Sequence, residues 1–313
     1  MSELTRVKST LEQWRILQAV VDHGGYSKAA AALNKSQSSL NHAVSKLQQQ
    51  MGVALLEVHG RKAYLTAAGE VMLRRSRLLT QSAIELEQLA ANLEQGWEPE
   101  ITIAVEVIYP KAILYDALAA FLPASRGSRI QVLDTVITGT KDAITQKTAD
   151  IVITGLLPKG VLGQPLAAVN LLPCAGHSHP LSQQAQVNVA ELAQATQIVI
   201  KDTSQSPDES TGWLKSEHRW TVSNFHEAKA LVARGIGFCW LPEHMIQAEI
   251  ASGDFVALPL QQGESRRTFT HLVLPDEHHI GPGAKALAEH IVKQHHAMAQ
   301  PTAPLSTPAT LGK

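Results

Sequence analysis

The side chains best suited by type and spacing to do chemistry lie in one polar run, Ser36-Gln37-Ser38-Ser39, followed by Asn41, His42 and Lys46. In the first turns of a helix these groups project together. A glutamine bonds the N6/N7 edge of adenine in bidentate fashion, serine hydroxyls suit a base or the backbone, and unpaired N–H groups of the first turn hold a phosphate. Lys46 continues the same face toward phosphate. Arg61 and Lys62, in the turn His59-Gly60-Arg61-Lys62, are placed for the minor groove or the flanking backbone. Any one of these residues alone would more often be merely solvated. The chemistry read from the set is contact with double-stranded DNA.

Other chemistry finds less support. The fourteen histidines cluster as His177-x-His179, His278-His279 and His290 with His295-His296. None shows the i, i+4 helical pair or the Cys-x-x-Cys spacing of a preorganised metal site, so no metal is expected. No Gly-x-Gly-x-x-Gly, Walker A, Gly-x-Ser-x-Gly or His-Glu-x-x-His stretch occurs, so neither a cofactor nor an enzymatic activity is expected. Two cysteines, Cys174 and Cys239, are too few for a disulfide framework. Their apolar settings suit buried thiols, and a redox switch built on them is the alternative reading.

The elements that must hold the polar run are short helices with tight punctuation. Leu11, Trp14, Leu17, Ala19, Val20 and Val21 line a first helix that ends at Gly24-Gly25. Ser27 is expected to cap a second helix over Lys28–Leu33, whose alanines admit a close neighbour. Asn34-Lys35 turns the chain, and Ser36 caps a third helix reaching about Gln50 with Leu40, Val44, Leu47 and Met51 inward. Extended pieces at Ala54–Glu57 and Ala63–Leu65 make a wing. The layout is a winged helix-turn-helix over residues 1–66.

A helix then runs over 67–96. Met72, Leu79, Leu86 and Leu93 recur every seventh position, as do Gly69, Ser76, Ala83 and Ala90. A large row beside a small row at heptad spacing predicts a close helix–helix seam, so Met72, Ser76, Leu79, Ala83, Leu86, Ala90 and Leu93 are the dimerisation candidates. After Gly96, Trp97 and Pro99 the pattern changes to alternating strands and helices, which predicts an open α/β sheet with a cleft between two units. A tail over 297–313, rich in Pro, Ala and Thr, has the composition of a disordered segment.

Charge follows the same division. The net charge is −1, yet residues 1–66 carry eight Lys/Arg against four acids, and residues 97–313 carry sixteen against twenty. A basic head on an acidic body is expected where one end meets phosphate. With 44 % apolar and 18 % charged residues the chain can bury cores. It has neither a signal peptide nor ~18 uninterrupted apolar residues, so no membrane partner and a cytoplasmic location are expected.

Residues 11–70 resemble the winged helix-turn-helix of the LysR-type transcriptional regulators. The resemblance rests on the bend at Gly25–Ser27, the alanine pair, the Ser36-Gln37 helix start, the Leu47 and Gly52 spacing, and Leu65-Thr66-x-x-Gly69. His179-Pro180-Leu181 and Gly235-Ile236-Gly237 with Leu241-Pro242 extend it to about residues 8–296. Where the family has Leu-Phe-x-Arg, this chain has Leu55-Leu56-Glu57-Val58, without the arginine. The resemblance implies a homodimer through antiparallel linker helices, usually a tetramer, on two half-sites with bent DNA between them.

It also implies a periplasmic-binding-protein-like effector domain of two Rossmann-like subdomains, residues 97–170 with 269–296 and residues 171–268, crossing near Ala168–Leu172 and Phe269–Leu272. A small molecule in the cleft would modulate promoter binding or DNA bending. Strand ends and helix starts facing the crossover nominate Tyr109, Thr138, Thr140, Thr154, Lys201, Thr203, Ser204 and Asn224. Hydroxyls at a helix N-terminus suit an anionic or oxygen-rich effector. The remaining alternative is a cytoplasmic solute-binding protein without a DNA function.

Overall fold

The computed structural model describes residues 7–59, 62–208, 210, 214–260 and 266–299. The chain divides into two units, 1–94 and 95–313. In the first, α1 (Leu11–Asp22), α2 (Tyr26–Ala32) and α3 (Gln37–Met51) pack around Trp14, Leu17, Val20, Ala29, Leu40, Val44 and Leu47. Thr10 starts α1 with a reciprocal cap, its Oγ1 accepting from Gln13 N at 3.3 Å while Gln13 Oε1 accepts from Thr10 N at 2.8 Å. Ser27 does not cap α2. Gly24 and Gly25, with φ of 70° and 151°, complete the turn in two residues, so the helix begins two residues earlier than expected, at Tyr26, without a side-chain cap.

The antiparallel pair β1 (Leu56–His59) and β2 (Lys62–Leu65) forms the wing, and Thr66 then opens α4 (Ala67–Glu94). Thr66 Oγ1 donates to Ala54 O at 2.7 Å and accepts from Gly69 N at 2.9 Å. The early part of α4 packs on its own unit. A Cβ at Gly69 would lie 2.0 Å from Leu55 O, Leu73 joins the core, and Ser76 and Thr80 accept from Gln18 Nε2 at 3.1 and 3.2 Å. Ser76 therefore faces α1, because Gly69, Leu73, Ser76 and Thr80 are spaced by four, three and four and share one helical face. Met72 lies against the same core. Past Thr80 the face changes character, and Ile84, Leu86, Leu89 and Leu93 are exposed.

The second unit contains β3 (Glu100–Glu106), α5 (Lys111–Phe121), β4 (Arg129–Thr135), α6 (Thr138–Thr145), β5 (Ile151–Thr154), β6 (Gln164–Gly176), α7 (Val189–Gln194), β7 (Gln197–Ile200), β8 (Arg219–Val222), α8 (Phe225–Ala233), β9 (Phe238–Pro242), α9 (Gln247–Ser252), β10 (Phe255–Ala257), β11 (Arg266–Val273) and α10 (Pro282–Ala299). Among the described residues its strands form one sheet in the order β4-β3-β5-β11-β6-β9-β7-β8, with β10 against β6. β3, β4 and β5 are mutually parallel at one end, and β7, β8 and β9 at the other. The antiparallel strands β6 and β11 join the two halves. β6 changes partner at Leu171, which pairs with both Arg266 of β11 and Pro242 of β9.

Each half has its own core, one built on Ile101, Ile103, Leu114, Phe121, Ile153 and Ile291, the other on Cys174, Ile198, Val232, Cys239 and Leu241. No helix among the described residues is long and apolar enough to cross a membrane. Residues 300–313, most of the expected tail, lie outside the described residues.

Candidate functional site

In the first unit, α3 presents one apolar and one polar face. Leu40, Val44 and Leu47 are fully buried, whereas Ser36, Gln37, Ser38, Ser39, Asn41, His42 and Lys46 are all exposed. Ser36 Oγ accepts from Ser39 N at 3.2 Å and lies 3.0 Å from Ser38 Oγ, which fixes the first turn. Asn34 adopts φ 52° in the preceding turn, a conformation asparagine tolerates. Gln48, unmarked in the sequence reading, ties α3 to the wing: its Oε1 accepts from Leu55 N at 2.7 Å and Leu56 N at 3.0 Å. Lys62 begins β2, and Arg61 lies outside the described residues.

In the second unit a cavity of about 970 Å³ opens between the two halves of the sheet. Of the nominated residues, Lys201, Thr203 and Ser204 line it. The others sit elsewhere. Tyr109 is fully buried in the core of the first half, its hydroxyl without a hydrogen-bond partner and its ionisation pushed upward by burial. Thr140 is buried and donates to Thr135 Oγ1 at 2.8 Å, and Thr154 Oγ1 bonds the backbone of Leu156. Asn224 caps α8, accepting from Glu227 N at 3.0 Å, while its neighbours Ser223 and Phe225 face the cavity. Thr138 stands behind the wall, where its Oγ1 accepts from Asp208 N at 3.0 Å.

Several lining residues escaped the sequence reading. Leu171, Ile198, Ile200 and Phe225 give the cavity an apolar wall, and the Arg266 guanidinium stands 5.0 Å over the Trp240 ring. Glu106 ends β3 almost completely buried. Burial raises its pKa and a nearby Asp202 charge adds to the rise, against the lowering effect of bonds from Gly155, Ile137 and Thr154. Ile137 has φ 43°, a strained value for a β-branched residue, and its backbone N–H helps to lower the Glu106 pKa. Asp202 behaves oppositely: burial pushes its pKa up, but bonds from Ser204, Thr138 and Gly139 outweigh that and hold it below the usual range. The only sequence signal for Asp202 was its position between Lys201 and Thr203, both nominated.

Comparison with known proteins settles the family. Residues 11–70 match the family model described as a bacterial regulatory helix-turn-helix protein of the lysR family, and residues 94–295 match the LysR substrate binding domain. The chain belongs to the LysR family. It is accordingly a DNA-binding transcriptional regulator with an effector-binding domain, not an enzyme.

Among its relatives, it is 29 % identical over 262 residues to the uncharacterised HTH-type transcriptional regulator YeeY of Escherichia coli, covering 80 % of this chain and 83 % of that protein. It is 24 % identical over 295 residues to a RuBisCO operon transcriptional regulator of Allochromatium vinosum, covering 91 % and 96 %. The solved structure of full-length LysG from Corynebacterium glutamicum aligns over 92 % of this chain and 98 % of that one, with 16 % identity and a TM-score of 0.47.

The two cysteines of this LysR-family chain face each other across β6 and β9, where Cys174 and Cys239 are register partners. Both are free and buried. Burial pushes the Cys174 thiol up to about 12 and the Cys239 thiol higher still, so almost no thiolate forms at neutral pH. The two thiols thus share one register position, and burial disfavours the thiolate of each.

Proposed function

We propose that α3 reads base edges with Gln37, Ser38, Ser39, Asn41 and His42, that Ser36 and Lys46 hold phosphate together with the wing residues Arg61 and Lys62, and that the cavity takes a small-molecule effector. The chain assembles at least as a dimer through the exposed end of α4, with a tetramer as the further step. The observation that carries the effector reading is the 970 Å³ cavity itself, walled by residues of both halves of a sheet whose joining strands can act as hinges. An effector regulates only if it binds the two arrangements of the halves with different affinity.

The test is footprinting on DNA upstream of the protein's own gene, with and without candidate metabolites. Ser223 lines the cavity at an exposed position, so Ser223→Trp fills space without disturbing a core. The expected outcome is an unchanged footprint without metabolite and loss of any metabolite-dependent change. A full metabolite response in Ser223→Trp would place the effector outside this cavity.

A further inference from the structure

The N-terminus of α6, nominated from sequence as the seat of an effector's anionic group, is already filled by the chain's own side chains. Asp202 Oδ2 accepts from Thr138 N at 3.0 Å and Oδ1 from Gly139 N at 3.1 Å. Thr203 Oγ1 accepts from Val136 N at 2.9 Å, and Gly139 N also donates to Val136 O at 3.0 Å. The amides of 136, 138 and 139 are thus satisfied. Gly139 makes the approach feasible, since a Cβ there would stand 1.9 Å from Thr203 Oγ1.

This is not ordinary local capping. Thr10, Ser36, Asn188 and Asn224 each cap the helix that directly follows them. Glu98 caps α10 from within the same half of the sheet, accepting from Gly283 N at 2.8 Å and Ala284 N at 3.0 Å. Asp202 instead follows β7 and caps a helix that follows β4, at the opposite end of the strand order. In a flat sheet six strand spacings would separate the two by roughly 29 Å. The Asp202 and Thr203 bonds therefore exist only because the two halves face each other across the cavity.

We infer that Asp202 is a specificity-determining residue of the effector cavity: it acts as a built-in carboxylate that latches the two halves together and denies the amides of α6 to an anionic ligand. The inference rests on reading the cavity as the effector site. It implies that the natural effector is recognised through the apolar wall and the polar groups of the second half, without a carboxylate seated on α6. Removal of Asp202 unmasks an anion site.

The full-length chain and its Asp202→Ala and Asp202→Asn variants are to be titrated with sodium benzoate, a carboxylate on an apolar ring, against sodium chloride at equal ionic strength. Binding is read by thermal shift and by the Gly139 amide resonance of protein labelled with [15N]glycine, assigned by its loss in Gly139→Ala. Benzoate should leave the wild type unmoved relative to chloride. It should bind at least tenfold tighter to Asp202→Ala and shift the Gly139 resonance. Asp202→Asn keeps the shape of the latch and serves if the alanine variant does not fold; it too should gain benzoate binding, because a neutral amide cannot compete with a carboxylate for two N–H donors.

Wild-type protein that binds benzoate as tightly as the variants, or folded variants whose Gly139 resonance ignores benzoate, would overturn the inference. A variant that gains benzoate at Gly139 while its DNA footprint is indifferent to benzoate would uphold the latch and overturn the cavity as the regulatory site.

Discussion

At the scale of single residues, two carboxylates at the cavity answer to pH in opposite senses. Glu106 has its folded pKa raised above its ordinary 4.5, so its contribution to stability is full below that value and is lost as pH rises through the folded value. Asp202 has its folded pKa lowered from 3.8, so its contribution is present above 3.8 and is lost as pH falls through the depressed value. Denaturant titrations of the wild type from pH 4 to 8 should show the Glu106 loss, and Glu106→Gln should remove it. Asp202→Asn removes a negative charge that raises Glu106, and should move that loss to lower pH.

On α3 the division of labour is between reading and holding. Gln37→Ala should lower the ratio of specific to non-specific affinity, by about 1–3 kcal/mol if the contact is bidentate. Lys46→Ala should weaken all sequences alike and reduce the salt slope by about one. Identical salt-titrated behaviour of the two variants would contradict this assignment. The DNA-facing residues were legible because a capped amphipathic helix fixes which side chains face outward. The cavity residues were less so. Proximity to a strand end does not say whether a side chain enters the cleft or the core, and Tyr109, Thr140 and Thr154 all turn inward. Asp202 acts on a helix 64 residues earlier, a pairing that no local pattern encodes.

At the scale of elements, α4 shows how one periodicity can serve two partners. Heptad spacing placed Gly69, Ser76, Ala83 and Ala90 in a single row, but the structure uses Gly69 and Ser76 against Leu55 and Gln18. A helix of 3.6 residues per turn drifts about 20° per heptad, so a row that begins against α1 does not keep one neighbour over 28 residues. One face of the early part is thereby taken up, while Leu79, half exposed, and the exposed residues beyond it remain open to a second chain. Leu86, 67 % exposed, stands among these, and Leu93 one heptad on is exposed too. Leu86→Glu should therefore lower the mass seen by light scattering to that of the monomer, while Ser76→Ala should cost stability of the first unit, roughly 1 kcal/mol, without changing assembly. The reverse pattern would move the seam to the start of the helix. Strand and helix identities elsewhere were legible from alternation and caps. The course of β6 was not, because a 13-residue strand that changes partners at Leu171 carries no mark of the change in its own sequence.

At the scale of the whole molecule, the division into units at 94/95 sets what thermodynamics can be observed. Each unit has its own buried core, so each can unfold as a cooperative block. The charge distribution adds that DNA engages the first unit, whose residues 1–66 hold twice as many basic as acidic groups. A ligand raises the melting temperature of the block it binds and leaves an uncoupled block where it was. Calorimetry of the full chain should accordingly resolve two transitions. A short duplex containing the half-site should raise the transition of the first unit at low ionic strength and lose that effect as salt is added. In Asp202→Ala, benzoate should raise the other transition. Regulation requires more than these independent shifts, because coupling between the sites is reciprocal. With duplex and benzoate both present, the two transitions should move by amounts that differ from the sum of the separate effects, and strictly additive shifts would mean that occupancy of the cavity is not communicated to the DNA-binding unit.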